Sequence, residues 1–307
     1  MRSLLTYFLL IVFCFSSILA HSSLIKGNNT HKNTQDVVIK TEKVAGSVYV
    51  LFGQGGNIGV SAGKDGILII DDQFINLADK IKSALKDLGS DTPRFVFNTH
   101  WHGDHTGGNP IFGQNSIIIA QENVRKRLST DSTRRGQQIK ALPPVGLPMI
   151  TYGQGLSIHF NGEEIRAVHF PNGHTDGDTI IFFTGSNVVH LGDDFFAGKF
   201  PFVDLESGGS VSGLIQNIDA LTKQIPADAK LIPGHGAVSN LNDLKTYHQT
   251  LVETTGIVRK QMDNKKSLDE IKKTGLPAKY KDWGTGFIKT DAWIETIYKS
   301  YSLNMKK

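Results

Sequence analysis

Short apolar and β-branched runs alternate with Gly-rich turns over the first part of the chain, at residues 37–43, 47–52, 58–61 and 66–72. That spacing predicts an antiparallel meander. Leu77, Ile81, Ala84, Leu85 and Leu88 then recur at helical spacing, and Gly89 ends the helix. A strand at 94–98 delivers the chain into a loop that starts at Thr99, and a β-branched run at 116–120 and a helix over 121–128 follow. Residues 129–154 contain Pro and Gly without a period, which predicts a flap or surface excursion. Strands are expected at 156–160, 164–170, 179–184 and 188–191. A helix over 212–224 carries Leu214, Ile218, Leu221 and Ile225 on one stripe. Residues 230–232 read as a short strand ending in Pro233, and from Asn242 onward the chain reads as mostly helical, broken near Gly275, Pro277 and Gly284. The fold class is α+β: two sheets packed together with helices outside.

The N-terminus reads differently. Arg2 is the only charge in the first twenty residues, an apolar run covers 4–15, and Ser16, Ser17 and Ala20 precede polar sequence. This describes a signal peptide over residues 1–20, cleaved after Ala20, whose apolar run is too short to span a bilayer. Residues 21–36 are a polar, flexible lead-in. The remainder divides into a main domain at 37–250 and a C-terminal helical extension at 251–307. A bacterial periplasmic or secreted location is expected, without stable membrane association once the signal is removed.

Cys14 is the only cysteine, so the cleaved chain has no disulfide, no thiolate ligand and no thiol nucleophile. Any metal must be held by His, Asp or Glu. The 33 basic and 29 acidic residues are scattered, with no basic stripe interleaved with aromatics, so no nucleic-acid partner is expected.

The chemistry concentrates at strand ends. HWHGDH at residues 100–105 sets three imidazoles and a carboxylate within six positions, just past the 94–98 strand. His100 and His102 can point to one side of an extended loop, and a turn at Gly103 lets Asp104 and His105 face a second centre. Neutral imidazole and carboxylate suit zinc. Three further pieces each place a candidate ligand beside a glycine: GHTDGD at 173–178, GDD at 192–194 and PGHG at 233–236. A sandwich would gather these four strand ends on one edge. Trp101 and Thr106 read as packing and loop-fixing residues. Asp71 or Asp72, at the end of an apolar strand, is placed to hydrogen-bond a ligand from behind or simply to form a turn. His21 and His31 fall in the lead-in; His159, His169, His190 and His248 fit no motif and read as structural or solvated.

HWHGDH followed in order by GHTDGD, LGDD and PGHG resembles the metallo-β-lactamase superfamily, over about residues 37 to 250. The resemblance implies a four-layer αββα sandwich with two zinc ions per chain at one edge. It implies that His100, His102 and His174 hold the first zinc, that Asp104, His105 and His235 hold the second, and that Asp193 bridges them. Asp194 is the neighbouring alternative to Asp193.

The implied reaction is hydrolysis of an ester, lactone, thioester or β-lactam amide in a small-molecule substrate. Attack is by a hydroxide held between the metals, with Asp104 as the catalytic carboxylate. Dizinc β-lactamases often carry Cys where Asp193 stands and Lys where Phe196 stands, which puts efficient β-lactam cleavage in doubt. The ligand set is closer to glyoxalase II and the lactonases, although an exported chain does not meet cytosolic glutathione thioesters. Two other classes are weighed: an iron-dependent oxidoreductase of the same fold, and a non-catalytic metal-binding protein. The oligomeric state is left open between monomer and homo-oligomer.

Overall fold

The computed structural model describes residues 37–304 apart from Arg135, so the signal sequence and lead-in read at 1–36 lie outside the described residues. Strands β1 (Lys40–Ala45), β2 (Val48–Phe52), β3 (Ile58–Gly63) and β4 (Gly66–Ile70) form the antiparallel meander that their alternation predicts. Period two sends Val48, Val50, Leu68 and Ile70 to one face, and Leu51, Val60, Ile67 and Ile69 to the other. Both faces are apolar because both are covered. Helix α1 (Ala78–Lys86) lays Ala78, Ile81 and Leu85 against the outer face.

Strand β5 (Phe95–Asn98) runs parallel to β4 and carries residues 99–105 out at the end of the sheet. Two one-turn helices, α2 (Gly103–Thr106) and α3 (Asn109–Phe112), lead to β6 (Ile117–Gln121), parallel to β5, and to α4 (Glu122–Leu128). The segment without a period contains regular structure. β7 (Ser132–Arg134) and β8 (Gln137–Ile139) form a hairpin, and β9 (Ile150–Tyr152) joins β6 as the outer strand of a seven-stranded sheet. Three-residue strands are too short to display a period; their pairing partners decide them.

The second sheet takes β10 (Gly155–Phe160), β11 (Glu163–His169), β12 (Thr179–Phe183) and β13 (Val188–His190) as an antiparallel run. After α5 (Val211–Gln224) come β14 (Lys230–Ile232), parallel to β13, and β15 (Ser239–Asn240). Ile165, Ala167, Ile181, Phe183 and Ile232 face Val50, Leu68, Ile70 and Phe97 in a core between the sheets. The outer face of this sheet, with Ile180, Phe182, Val189 and Leu231, packs on Leu214, Ile218 and Leu221 of α5. The layers are therefore α, β, β, α.

Helix α6 (Leu241–Asp263) opens with a capping box between Asn240 and Asp243, and α7 (Leu268–Thr274) and α8 (Thr290–Asn304) follow. The boundary drawn at residue 250 falls inside α6. Leu244, Leu251 and Val258 share one core with Ile271, Trp293 and Ile297, and Trp293 Nε1 donates to Thr254 Oγ1 at 3.0 Å. No helix among the described residues is long and apolar enough to cross a membrane.

Candidate metal centre

Four chain segments converge on one edge of the sandwich: the loop after β5, the β11–β12 connection, the turn after β13 and the turn after β14. They bring all seven sequence-predicted residues together. The donor atoms of His100, His102, His174 and Asp193 form one cluster, and those of Asp104, His105 and His235 a second. Asp193 divides its carboxylate between them. Its Oδ2 lies 3.7 Å from His100 Nε2 and 3.4 Å from His174 Nε2, while its Oδ1 lies 3.2 Å from His105 Nε2 and 3.3 Å from His235 Nε2. Asp104 Oδ2 completes the second cluster, 3.4 Å from His235 Nε2.

Asp194 points elsewhere, which removes the ambiguity between neighbours. Its Oδ1 accepts from the His174 N–H at 3.2 Å, and its Oδ2 faces Asn217 Nδ2 at 3.4 Å. Burial and the Asp178 carboxyl push Asp194 well above the usual carboxylate range, and burial raises Asp178 as well. The two carboxyls face each other behind the site.

The donor set fits metal ions. Ligands about 2.1 Å from a tetrahedral zinc stand roughly 3.4 Å apart; the donors of the second cluster are 3.3 to 3.8 Å from one another, and those of the first all lie within 4.8 Å. His102 Nδ1 and His174 Nε2 face each other at 2.8 Å. The other nitrogen of each ring is engaged, His102 Nε2 with Asp204 Oδ2 at 2.9 Å and His174 Nδ1 with the Phe202 carbonyl at 2.7 Å. His100 Nε2 and Asp193 Oδ1 are buried without a hydrogen-bond partner. Buried polar atoms are expensive to leave unmatched, and a cation between them removes the cost.

Without a cation the charges are uneven. Burial depresses His100 well below its ordinary value, with nearby His105 adding to the effect. Burial also opposes a charge on His105, but the carboxylates of Asp193, Asp71 and Asp104 overcome it and hold His105 well above its ordinary value. The same contest raises His235 to about 9, through Asp193 and Asp104. Burial alone would raise Asp104, yet His105 and His235 bring it down to about 2; Asp193 is likewise held low by His235, His105 and His174 against its burial.

The backbone comes unusually close. A Cβ on Gly234 would stand 2.0 Å from Asp193 Oδ1, and one on Gly56 would stand 2.1 to 2.6 Å from the His105 ring. Gly103, inside the first motif, has open space around it. Of the two strand-end carboxylates, Asp71 is the one that meets a ligand, with Oδ2 2.7 Å from His105 Nδ1. Asp72 Oδ1 instead accepts from the Gly108 N–H at 2.9 Å. Trp101 packs with Ala120, Val124 and Leu128, and Thr106 Oγ1 donates to the carbonyls of Trp101 and His102 at 3.2 and 3.1 Å. His190 is a buried strut, with Nε2 3.1 Å from the Asn57 carbonyl.

Sequence reasoning missed Asp204, Phe202 and Asn57. Asn57 Nδ2 donates to the Pro233 and Gly236 carbonyls at 2.9 and 2.8 Å and pins the His235 turn. None of the three belongs to a histidine motif, so no local pattern marks them.

A sequence profile of the metallo-beta-lactamase superfamily matches residues 45–255. The chain belongs to the metallo-β-lactamase superfamily. Among curated members, it is 30% identical over 147 residues to an atrochrysone carboxyl ACP thioesterase of Aspergillus terreus, covering 48% of this chain and 40% of that one. It is 33% identical over 140 residues to a hydroxyacylglutathione hydrolase of Halorhodospira halophila, covering 46% of each chain. The matches thus span less than half of either relative's length. Among solved structures, a metallo-beta-lactamase from Pontibacter korlensis superposes with a TM-score of 0.55 at 16% identity, over 69% of this chain and 98% of that one. The sec-alkylsulfatase Pisa1 from Pseudomonas sp. gives 0.65 at 13% identity, over 86% of this chain and 50% of that one. Both share the metallo-β-lactamase sandwich described above.

Proposed function

We propose that this superfamily member is an exported hydrolase that holds two zinc ions and cleaves a carboxylic ester-type bond, with a thioester placed first among ester, lactone, thioester and β-lactam amide. The observation that carries the reading is the divided carboxylate of Asp193, one oxygen toward each cluster. His100, His102 and His174 would hold one zinc, Asp104, His105 and His235 the other, and Asp193 would bridge. Bound there, the two ions would lower the pKa of water toward 7 and polarise the substrate carbonyl. The curated relative named as a thioesterase supports the choice of bond.

The chain's own residues define the approach. Asp104 and His235 are the partly exposed members of the set, with side chains 32% and 31% accessible, so substrate would arrive on their side. Asp104, a half-buried carboxylate of the set, is suited to orient the attacking water. Phe196 stacks on the His235 ring at 5.1 Å, and Phe202 lies 5.7 Å from the rings of both His102 and His174. Phe202 thus covers rings of the first cluster and Phe196 a ring of the second, apolar surface that would limit water at the site.

The experiment is elemental analysis of the purified chain together with a panel of a thioester, a lactone and a chromogenic cephalosporin. Two zinc ions per chain and fastest turnover of the thioester, lost in His102→Ala, is the expected result. One iron, or no metal, sinks the dizinc reading and moves the assignment to the oxidoreductase or the binding protein. Export is tested separately, by sequencing the N-terminus of the secreted chain, which should start at His21.

A further inference from the structure

We infer that Asp204, on the loop between β13 and α5, is a positioning residue that fixes which nitrogen of His102 faces the first cation; the inference rests on the dizinc reading above. A histidine can present either nitrogen to a metal, and the partner of the other nitrogen decides which. His102 Nδ1 lies inside the first cluster, 2.8 Å from His174 Nε2, and His102 Nε2 points away from it to Asp204 Oδ2 at 2.9 Å. Asp204 is 2% exposed. With Asp204 as the acceptor, Nε2 carries the proton and the Nδ1 lone pair is directed into the cluster.

The same loop serves the neighbouring imidazole. The Phe202 carbonyl accepts from His174 Nδ1 at 2.7 Å, which frees His174 Nε2 for the cluster. The Asp204 N–H donates to the His174 carbonyl at 2.9 Å, and the Asp204 carbonyl accepts from the N–H groups of Ser207 and Gly209 at 3.1 and 2.9 Å. Gly209 allows the fit, since a Cβ there would stand 2.2 Å from the His174 carbonyl oxygen. Asp204 is therefore locked by its own backbone to one of the residues it helps to arrange, and two imidazoles of one cluster are set by Phe202 and Asp204, neither of which contributes a donor to it. Such outer partners orient a ligand and raise its basicity.

The test is zinc titration of the metal-free cleaved chain against a competing chelator, with ¹⁵N NMR of the zinc-loaded protein. Wild type should take up two zinc ions and show a downfield, slowly exchanging Nε2–H proton on His102. Asp204→Ala should bind one equivalent about 10- to 100-fold more weakly, with that proton moved upfield and in fast exchange. Asp204→Asn keeps the shape and a neutral acceptor, and should fall between the two; it carries the test alone if the alanine variant does not fold. A merely structural role would lower the melting temperature while leaving zinc affinity and the Nε2–H resonance as in wild type. That result in Asp204→Asn, with two zinc ions bound to wild type, overturns this inference and spares the dizinc reading. Wild type that binds no zinc overturns both.

Discussion

Asp71 Oδ2 sits 2.7 Å from His105 Nδ1 and, in the same position, accepts from Thr99 Oγ1 at 2.8 Å, while Asp71 Oδ1 takes the Thr99 N–H at 2.8 Å. One fully buried carboxylate at the end of β4 thus anchors the start of the ligand loop and aims one of its imidazoles. Asp71→Ala should weaken one zinc equivalent by about 10- to 100-fold. It should also cost about 1–3 kcal/mol for the buried Thr99 donor left unpaired. Calorimetric zinc titration and urea unfolding measure the two effects; unchanged zinc affinity in the variant contradicts the role.

Crowding at the second cluster gives a sharper contrast. A Cβ at Gly56 collides with the His105 ring, whereas one at Gly103 meets nothing within 4 Å. Gly56→Ala is expected to reduce zinc content toward one per chain, and Gly103→Ala to keep two although it lies between ligands. Elemental analysis of both variants decides; equal loss in the two would show that the loop tolerates no change for some other reason.

The metal-free protein should show a characteristic pH dependence. His235 is raised from 6.5 to about 9, so it contributes stability that is fully present below its unfolded value and is lost as pH rises through about 9. Asp104 is lowered from 3.8 to about 2, so its contribution is present above the unfolded value and disappears as pH falls through about 2. Melting temperatures of the metal-free chain should therefore decline between about pH 6.5 and 9, and His235→Gln should flatten that slope. Zinc needs the neutral imidazole, so apparent zinc affinity should weaken as pH falls below about 9, with protons released on binding. A wild-type melting curve that is flat over this window would count against the charge assignment.

The last two helices should behave as part of the fold. Trp293 of α8 is fully buried and donates to Thr254 on α6. Trp293→Ala is expected to cost about 3–5 kcal/mol while the folded fraction keeps its zinc. Denaturant unfolding should show one shifted transition; two separate transitions would mean that residues beyond 250 fold independently.

The sequence by itself marked the candidate donors. The motif at 100–105 and the His or Asp residues after three later strands are legible because metal ligation draws on those residue types, and because a strand end is a local feature. Alternation likewise fixed the meander β1–β4 and the stripe on α5, where a period repeats often enough to read. Only the tertiary structure decided the rest. Asp193 rather than Asp194 faces the clusters because Asp178 and Asn217 hold Asp194 behind them. β9 exists because β6 offers it a free edge. Asp204 meets His102 across 102 positions of chain, a contact that no spacing rule encodes. Local patterns record what each residue can do; the packing of two sheets, acting over long separations, records which residues do it together.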